Sequence, residues 1–129
     1  MPPIERIKPK GVYEAKGYSH AVRRGNIVFI AGQVSKDVEG KLVGPGDIVA
    51  QVDQVFRNLK AVVEASGATL ADVVKLNIYT TALEHYRPHI RAGRDKYFAE
   101  HPPATTLLVV TSLADPAFLL EIDAVALVD

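Results

Sequence analysis

The run Leu107-Leu108-Val109-Val110 places apolar side chains on both faces of an extended segment. Successive side chains of a strand point to opposite sides of the sheet, so neither face of this strand can be left in water. Helices of the same chain can cover one face. The chain has 129 residues and two readable helical patterns, both on consecutive crossovers that return to the same side. The other face needs cover from outside, and the cheapest source is the same face of a second copy in a closed assembly. An obligate homo-oligomer follows, with clefts where subunits meet.

The rest of the chain supplies a sheet for that strand to join. Residues 1 to 16 show no clear period and read as an arm or irregular lead-in. Tyr18 to Val22 and Asn26 to Gln33 are short apolar runs around Arg23-Arg24-Gly25, which predicts a hairpin. Residues 34 to 46 carry Gly40, Gly44, Pro45 and Gly46, too many chain-breakers for an element interior. Asp47 is the expected N-cap of a first helix. Ile48, Val52, Val55, Phe56, Leu59, Val62 and Val63 repeat along its one face, Gln51, Gln54, Arg57 and Lys60 form its solvated face, and Gly67 closes it. Val73 to Thr80 reads as a strand. A second helix is expected over about Glu84 to His101, with Tyr86, Ile90, Tyr97 and Phe98 inward and Pro88 tolerated in its first turn. Ala104 to Val110 and Leu119 to Val128 complete a β-β-α-β-α-β-β order, an α+β fold in a single domain.

Charge excludes some partners. Fifteen basic residues balance fifteen acidic ones, and no basic run offers the footprint that sequence-independent nucleic-acid binding needs. The absence of cysteine removes disulfides, thiolate nucleophiles and the usual structural zinc sites. Met1 to Lys10 is polar and contains proline, unlike a signal peptide or a membrane span, so a soluble cytoplasmic protein is expected.

Polar residues that interrupt the apolar strands are the functional candidates. Glu121 lies between Leu120 and Ile122, on the face shared by Leu119, Asp123 and Val125. A carboxylate there must pair, reach a wet cleft, or take up a proton as burial raises its pKa. The plain alternative is an ion pair with Lys75 or another basic residue across the sheet. Thr105 and Thr106 are ordinary strand residues on their own. The glycines of residues 34 to 46 lack the spacing of a phosphate loop, His85 and His89 lack a third metal ligand, and no local motif gives Thr105 the base that a nucleophile needs.

Pro103-Ala104-Thr105-Thr106-Leu107-Leu108-Val109-Val110 followed by Leu120-Glu121-Ile122-Asp123-Ala124 closely resembles the C-terminal signature of the Rid/YjgF family. Gly17-Tyr18-Ser19-His20-Ala21-Val22, Ile30-Ala31-Gly32-Gln33-Val34, Asn58 to Gly67 and Asp72-Val73-Val74-Lys75 look like earlier family segments in the family's order, so the resemblance spans roughly residues 11 to 128. It implies a chorismate-mutase-like fold assembled as a homotrimer with three clefts between subunits. It also implies hydrolysis of reactive enamines and imines, such as 2-aminoacrylate, to keto acid and ammonia without metal or organic cofactor. Glu121 falls on the family's water-ordering glutamate, Tyr18 on a tyrosine that shapes the pocket, Gly32 on a cleft glycine and Leu107 on a position whose backbone contacts ligand.

Thr105 falls on the arginine that grips the substrate carboxylate. A guanidinium makes two charge-assisted bonds to a carboxylate, whereas a threonine offers one neutral hydroxyl. Losing one partner of a desolvated charge pair costs on the order of 2 to 5 kcal/mol, and roughly 3 kcal/mol is a factor of more than a hundred in rate. Standard 2-aminoacrylate deamination is therefore disfavoured. Arg91 occupies a position where deaminase members carry asparagine, and a relocated cation at Arg91 or Arg94 would serve a different or longer acid. The expected activity is hydrolysis or tautomerisation of an enamine, imine or related carbonyl compound. The alternative is a ligand-binding protein that kept the scaffold without catalysis. The family's older labels of endoribonuclease and translation inhibitor find no support in the charge pattern.

Overall fold

In the computed structural model, which describes residues 1–129, the β-branched segments form one six-stranded sheet. Its strands are β1 Ile4–Ile7, β2 Ala21–Arg24, β3 Ile27–Gln33, β4 Val73–Thr80, β5 Ala104–Val109 and β6 Leu120–Leu127, arranged β1-β2-β3-β6-β4-β5. Every neighbouring pair is antiparallel except β4 and β5. That pair is parallel because a helical crossover joins it, as parallel neighbours require. The α+β class, the helices on one face and the mostly antiparallel mixed sheet agree with the sequence reading.

Two details of the N-terminal part differ from that reading. Ile4–Ile7 is a strand rather than irregular lead-in, pairing Ile4 with Arg24 through Ile7 with Ala21. Its Ile-Glu-Arg-Ile sequence has no buried face to announce it, and the backbone partner across the ladder defines it instead. The hairpin strand begins at Ala21 rather than Tyr18. Arg23 and Arg24 belong to the strand and Gly25-Asn26 makes the turn, with Gly25 at φ +60 where a side chain is disfavoured.

α1 runs Ile48–Ala65, and Asp47 caps it by accepting a 3.1 Å bond from the Ala50 N–H. The chain leaves it through Ser66 and Gly67, the latter at φ +83. Val55, Leu59, Val62 and Val63 are fully buried, facing Val28, Ile122 and Ala126 of the sheet in one core. Gln51, expected in solvent, is also fully buried. Its Nε2 donates to the carbonyls of Gly44 and Ala117, each at 3.0 Å, and its Oε1 accepts the Leu119 N–H at 2.9 Å. Two irregular segments close over the helix there, and one amide satisfies three backbone groups that no ladder reaches.

The second helical pattern is broken. α2 is a single turn, Leu83–His85, and α3 covers only Arg91–Phe98. Pro88 does not sit in the first turn of one continuous helix. It follows Arg87, whose φ −113 and ψ 116 are extended, as the residue before a proline is driven to be. His85 and His89 consequently share no helical face. Gly93 brings α3 against α1: a Cβ there would lie 2.6 Å from Val52 Cγ1 and 2.8 Å from Phe56 Cε2.

The sheet face away from the helices carries exposed apolar side chains beside polar ones. Phe29 is 60% and Leu108 50% exposed, and Ile27 and Leu127 pair beside them on the same side. This is the two-faced character of the β5 segment carried across the sheet. No helix of the protein is long and apolar enough to cross a membrane.

Candidate functional site

Glu121 stands on β6 opposite Tyr79 of β4, on the face that the helices leave open. It is half-buried, and its side chain lies across Gly32: a Cβ on that glycine would come within 2.6 Å of Glu121 Cδ. Gly32 sits in the irregular stretch of β3 between Ile30 and Gln33, where the register against β6 shifts. A bulge of this kind re-aims the chain, and a residue without a side chain leaves the carboxylate its space.

Lys75 does not neutralise Glu121. Its Nζ donates to Thr106 Oγ1 at 2.7 Å, and none of the protein's ion pairs involves Glu121. Asp123, on the same face of β6, is held differently. It accepts from Asn77 Nδ2 at 2.8 Å and from the Tyr79 hydroxyl at 2.9 Å. Burial, and then the charge of Asp123, raises the Glu121 carboxyl above its ordinary value of 4.5. The bond to Asp123 in turn raises the Tyr79 phenol. The face therefore carries one anchored carboxylate and one unanchored carboxylate with increased proton affinity.

Tyr18 is half-exposed and packs edge-on against His20, with ring centroids 5.8 Å apart. A cleft of about 360 Å³ opens beside it, lined by Ile7, Pro9, Val12, Tyr13 and His20 among others. Beneath lies a polar network that sequence reasoning did not single out. His20 is buried, with Nε2 2.6 Å from the Tyr13 carbonyl and Nδ1 3.0 Å from Gln33 Nε2. Accepting from the Gln33 amide leaves the His20 proton on Nε2, where it donates to Tyr13. Burial pushes the Tyr13 phenol well up, with Tyr18 and Glu121 close enough to add to the shift. Tyr13 and Tyr18 share that cleft, while Glu121 lies over Gly32, near enough to act on the Tyr13 phenol. The sequence signal of the network was weak, because His20 and Tyr13 read equally well as core residues.

Thr105 belongs elsewhere. It pairs with Leu76, fully buried on the helix side, so its side chain is on the face opposite to Glu121. Its hydroxyl donates to the Pro103 carbonyl at 3.0 Å. Leu107, next on that face, packs partly against the core. The two candidate arginines separate. Arg91 is exposed, whereas Arg94 lines the same cleft of about 480 Å³ as Thr105. Arg94, and not Arg91, is the cation beside Thr105.

Glu121 and Thr105 therefore cannot face one cavity within a single copy of the chain. A site that uses both takes them from two copies, one presenting its open face and the other the helix side of its β5 edge. The chemistry on hand is an unpaired carboxyl of raised proton affinity, a tyrosine, a neutral hydroxyl and a half-buried guanidinium. No nucleophile accompanies them. That set suits proton transfer and water activation at a polar carbon.

Comparison with known proteins agrees with this architecture. Residues 9–128 match the family model described as Endoribonuclease L-PSP. A RutC family protein of Pyrococcus abyssi is 37% identical over 84% of each chain. A 2-iminobutanoate/2-iminopropanoate deaminase of Dermatophagoides farinae is 36% identical over 87% of this chain and 86% of its own. Among solved structures, RidA from a Psychrobacter species superposes with a TM-score of 0.87 at 34% identity, covering 96% of this chain and 99% of that one.

Proposed function

The chain belongs to the Endoribonuclease L-PSP family, the Rid/YjgF family, and on that premise we propose that it is a small-molecule enzyme that hydrolyses or tautomerises an imine, enamine or related carbonyl compound. The reaction takes place in a cleft between subunits of a homotrimer. Glu121 handles the proton, Tyr18 and Gly32 shape the same wall, and Thr105 with the Leu107 backbone completes the site from a neighbouring copy. No metal or cofactor takes part in the proposed chemistry.

The observation that carries this reading is the state of Glu121: half-buried, without ion pair, laid over Gly32, and of raised proton affinity. In imine hydrolysis, water adds to the carbon of the C=N bond while a carboxylate takes its proton. The carboxyl returns that proton to nitrogen to give a carbinolamine; the carboxylate then takes the hydroxyl proton and delivers it to the same nitrogen as the C–N bond breaks and the C=O bond forms, releasing ammonia and a carbonyl compound. One group must both accept and give a proton, and a carboxyl shifted upward toward the working pH does so more readily than an ordinary one. Tautomerisation of an enamine asks the same of it. The deaminase named among the relatives acts in the same chemical class.

At Thr105 a neutral hydroxyl meets the substrate. Its proton already serves the Pro103 carbonyl, so it presents lone pairs, which accept from a substrate N–H or O–H and give a carboxylate no charge complement. Efficient turnover of 2-aminoacrylate by the arrangement that relies on arginine there is disfavoured. Incubating the protein with imines and enamines generated by an amino acid oxidase, from amino acids and from their amides, tests the reading through the rate of imine loss. Accelerated hydrolysis of at least one class is expected. Binding without acceleration across the panel would favour a ligand-binding role on the same scaffold.

A further inference from the structure

The cleft at the start of β5 holds one cation, and its donors are unevenly committed. Arg94, Asp95, Phe98, Pro102, Pro103 and Thr105 all contribute to its walls. The Arg94 side chain is 25% exposed. Its Nε and Nη2 both reach the same oxygen of Asp95, at 3.2 and 3.0 Å, and its Nη1 donates to the Tyr86 hydroxyl at 2.8 Å. A guanidinium has five N–H donors. Three are used, which leaves one N–H on each terminal nitrogen to donate to an incoming carboxylate. Tyr86 and Asp95 fix the plane from two sides, so little side-chain freedom remains to be lost on binding. Asp95 is 53% exposed, and water screens its claim on the positive charge.

We propose that Arg94 is the carboxylate-binding residue of this cleft, holding the acid end of the substrate while Thr105 meets a neutral polar group nearer the reacting carbon. This rests on the reading of the cleft as part of a substrate site. It adds the substrate class: an imine or carbonyl compound whose carboxylate stands further from the reacting carbon than in 2-aminoacrylate, because the cation approaches from α3 rather than from the strand. Thr105 and Arg94 divide between them what one arginine in the strand would do.

The test compares 4-oxopentanoate with 4-oxopentanamide, which differ only in the charge of the far end, by titration against the full-length protein followed by NMR. The acid should bind at least about 30-fold more tightly than the amide, the low end of what a desolvated charge pair contributes. Arg94→Gln should weaken the acid by a similar factor and leave the amide unchanged, and Arg94→Lys should recover part of the loss as a point charge. A purely structural role for Arg94 would weaken both probes together. Equal binding of acid and amide, binding of neither, or acid affinity untouched by Arg94→Gln would overturn the proposal. Imine hydrolysis that depends on Glu121 would survive that result, so the two readings fail separately.

Discussion

Replacing Gly32 by alanine perturbs the candidate acid-base group through a single methyl. The new Cβ would lie 2.6 Å from Glu121 Cδ and 2.9 Å from its Cγ. Non-bonded carbons rest at about 3.5 to 4.0 Å, so the carboxyl group has to retreat by roughly 1 Å. The backbone at Gly32 is not in the left-handed region, and alanine is free of conformational strain there. The fold should hold, because Glu121 is only half-buried and can swing outward. A loss near the lower end of the roughly 1 to 3 kcal/mol typical of overpacking is expected. Catalysis should suffer far more, since a misplacement of about 1 Å can cost on the order of a hundredfold in rate. The assay is kcat/KM for imine hydrolysis by Gly32→Ala, Glu121→Gln and the double variant, beside thermal unfolding of each. If the methyl acts only through Glu121, the double variant is no slower than Glu121→Gln alone. Undiminished activity in Gly32→Ala, or a double variant slower by the product of the two losses, would refute the assignment of Gly32 and Glu121 to one device.

Other outcomes follow from the same geometry. Glu121 has a folded pKa above its unfolded value, so the native state holds its proton longer, and stability present below the unfolded value near 4.5 is lost as pH rises through the folded one. Glu121→Gln should therefore be more stable than the parent at neutral pH, with the gap closing as pH falls through about 4.5, measured by unfolding midpoints across pH. Gln51→Leu strands the Leu119 N–H and the Gly44 and Ala117 carbonyls; a cost of about 2 to 4 kcal/mol in denaturant unfolding is expected, and less than about 0.5 would contradict the role given to that amide. Phe29→Lys places charge on the open sheet face and should turn the proposed trimer into monomers by sedimentation velocity; an unchanged assembly would mean that another surface holds the subunits. Thr105→Arg should raise 2-aminoacrylate deamination by a factor on the order of a hundred, and no gain would mean that the position is not the one that sets the acid preference.

Much of the fold could be read from local pattern because local pattern caused it. The three-and-four spacing of Val52, Val55, Phe56, Leu59 and Val62 is the buried face of α1, and the alternation in Val73–Thr80 and Leu120–Leu127 is the pleat of β4 and β6. What escaped depends on partners distant in the chain. β1 is polar and exposed, and exists because β2 offers it a ladder. Gln51 is polar by composition and buried by the closure of segments 7 and 66 residues away. Pro88 divides a helix that the apolar spacing of Tyr86, Ile90 and Tyr97 suggested was continuous. The site was legible in the same uneven way. Glu121 was conspicuous as a charge inside an apolar strand, and its lack of a cation became visible only when Lys75 was found bonded to Thr106. Arg91 and Arg94 look alike in the sequence, and only the folded chain puts Arg94 in one cleft with Thr105.

In the proposed function Glu121 moves the proton in imine chemistry at this site. Stopped-flow decay of the imine that the parent protein hydrolyses fastest, recorded for the parent and for Glu121→Gln at matched subunit assembly, tests it most directly. Glu121→Gln is expected to fall to the uncatalysed rate while keeping the parent's oligomeric state and fold. Hydrolysis by Glu121→Gln at the parental rate would contradict it.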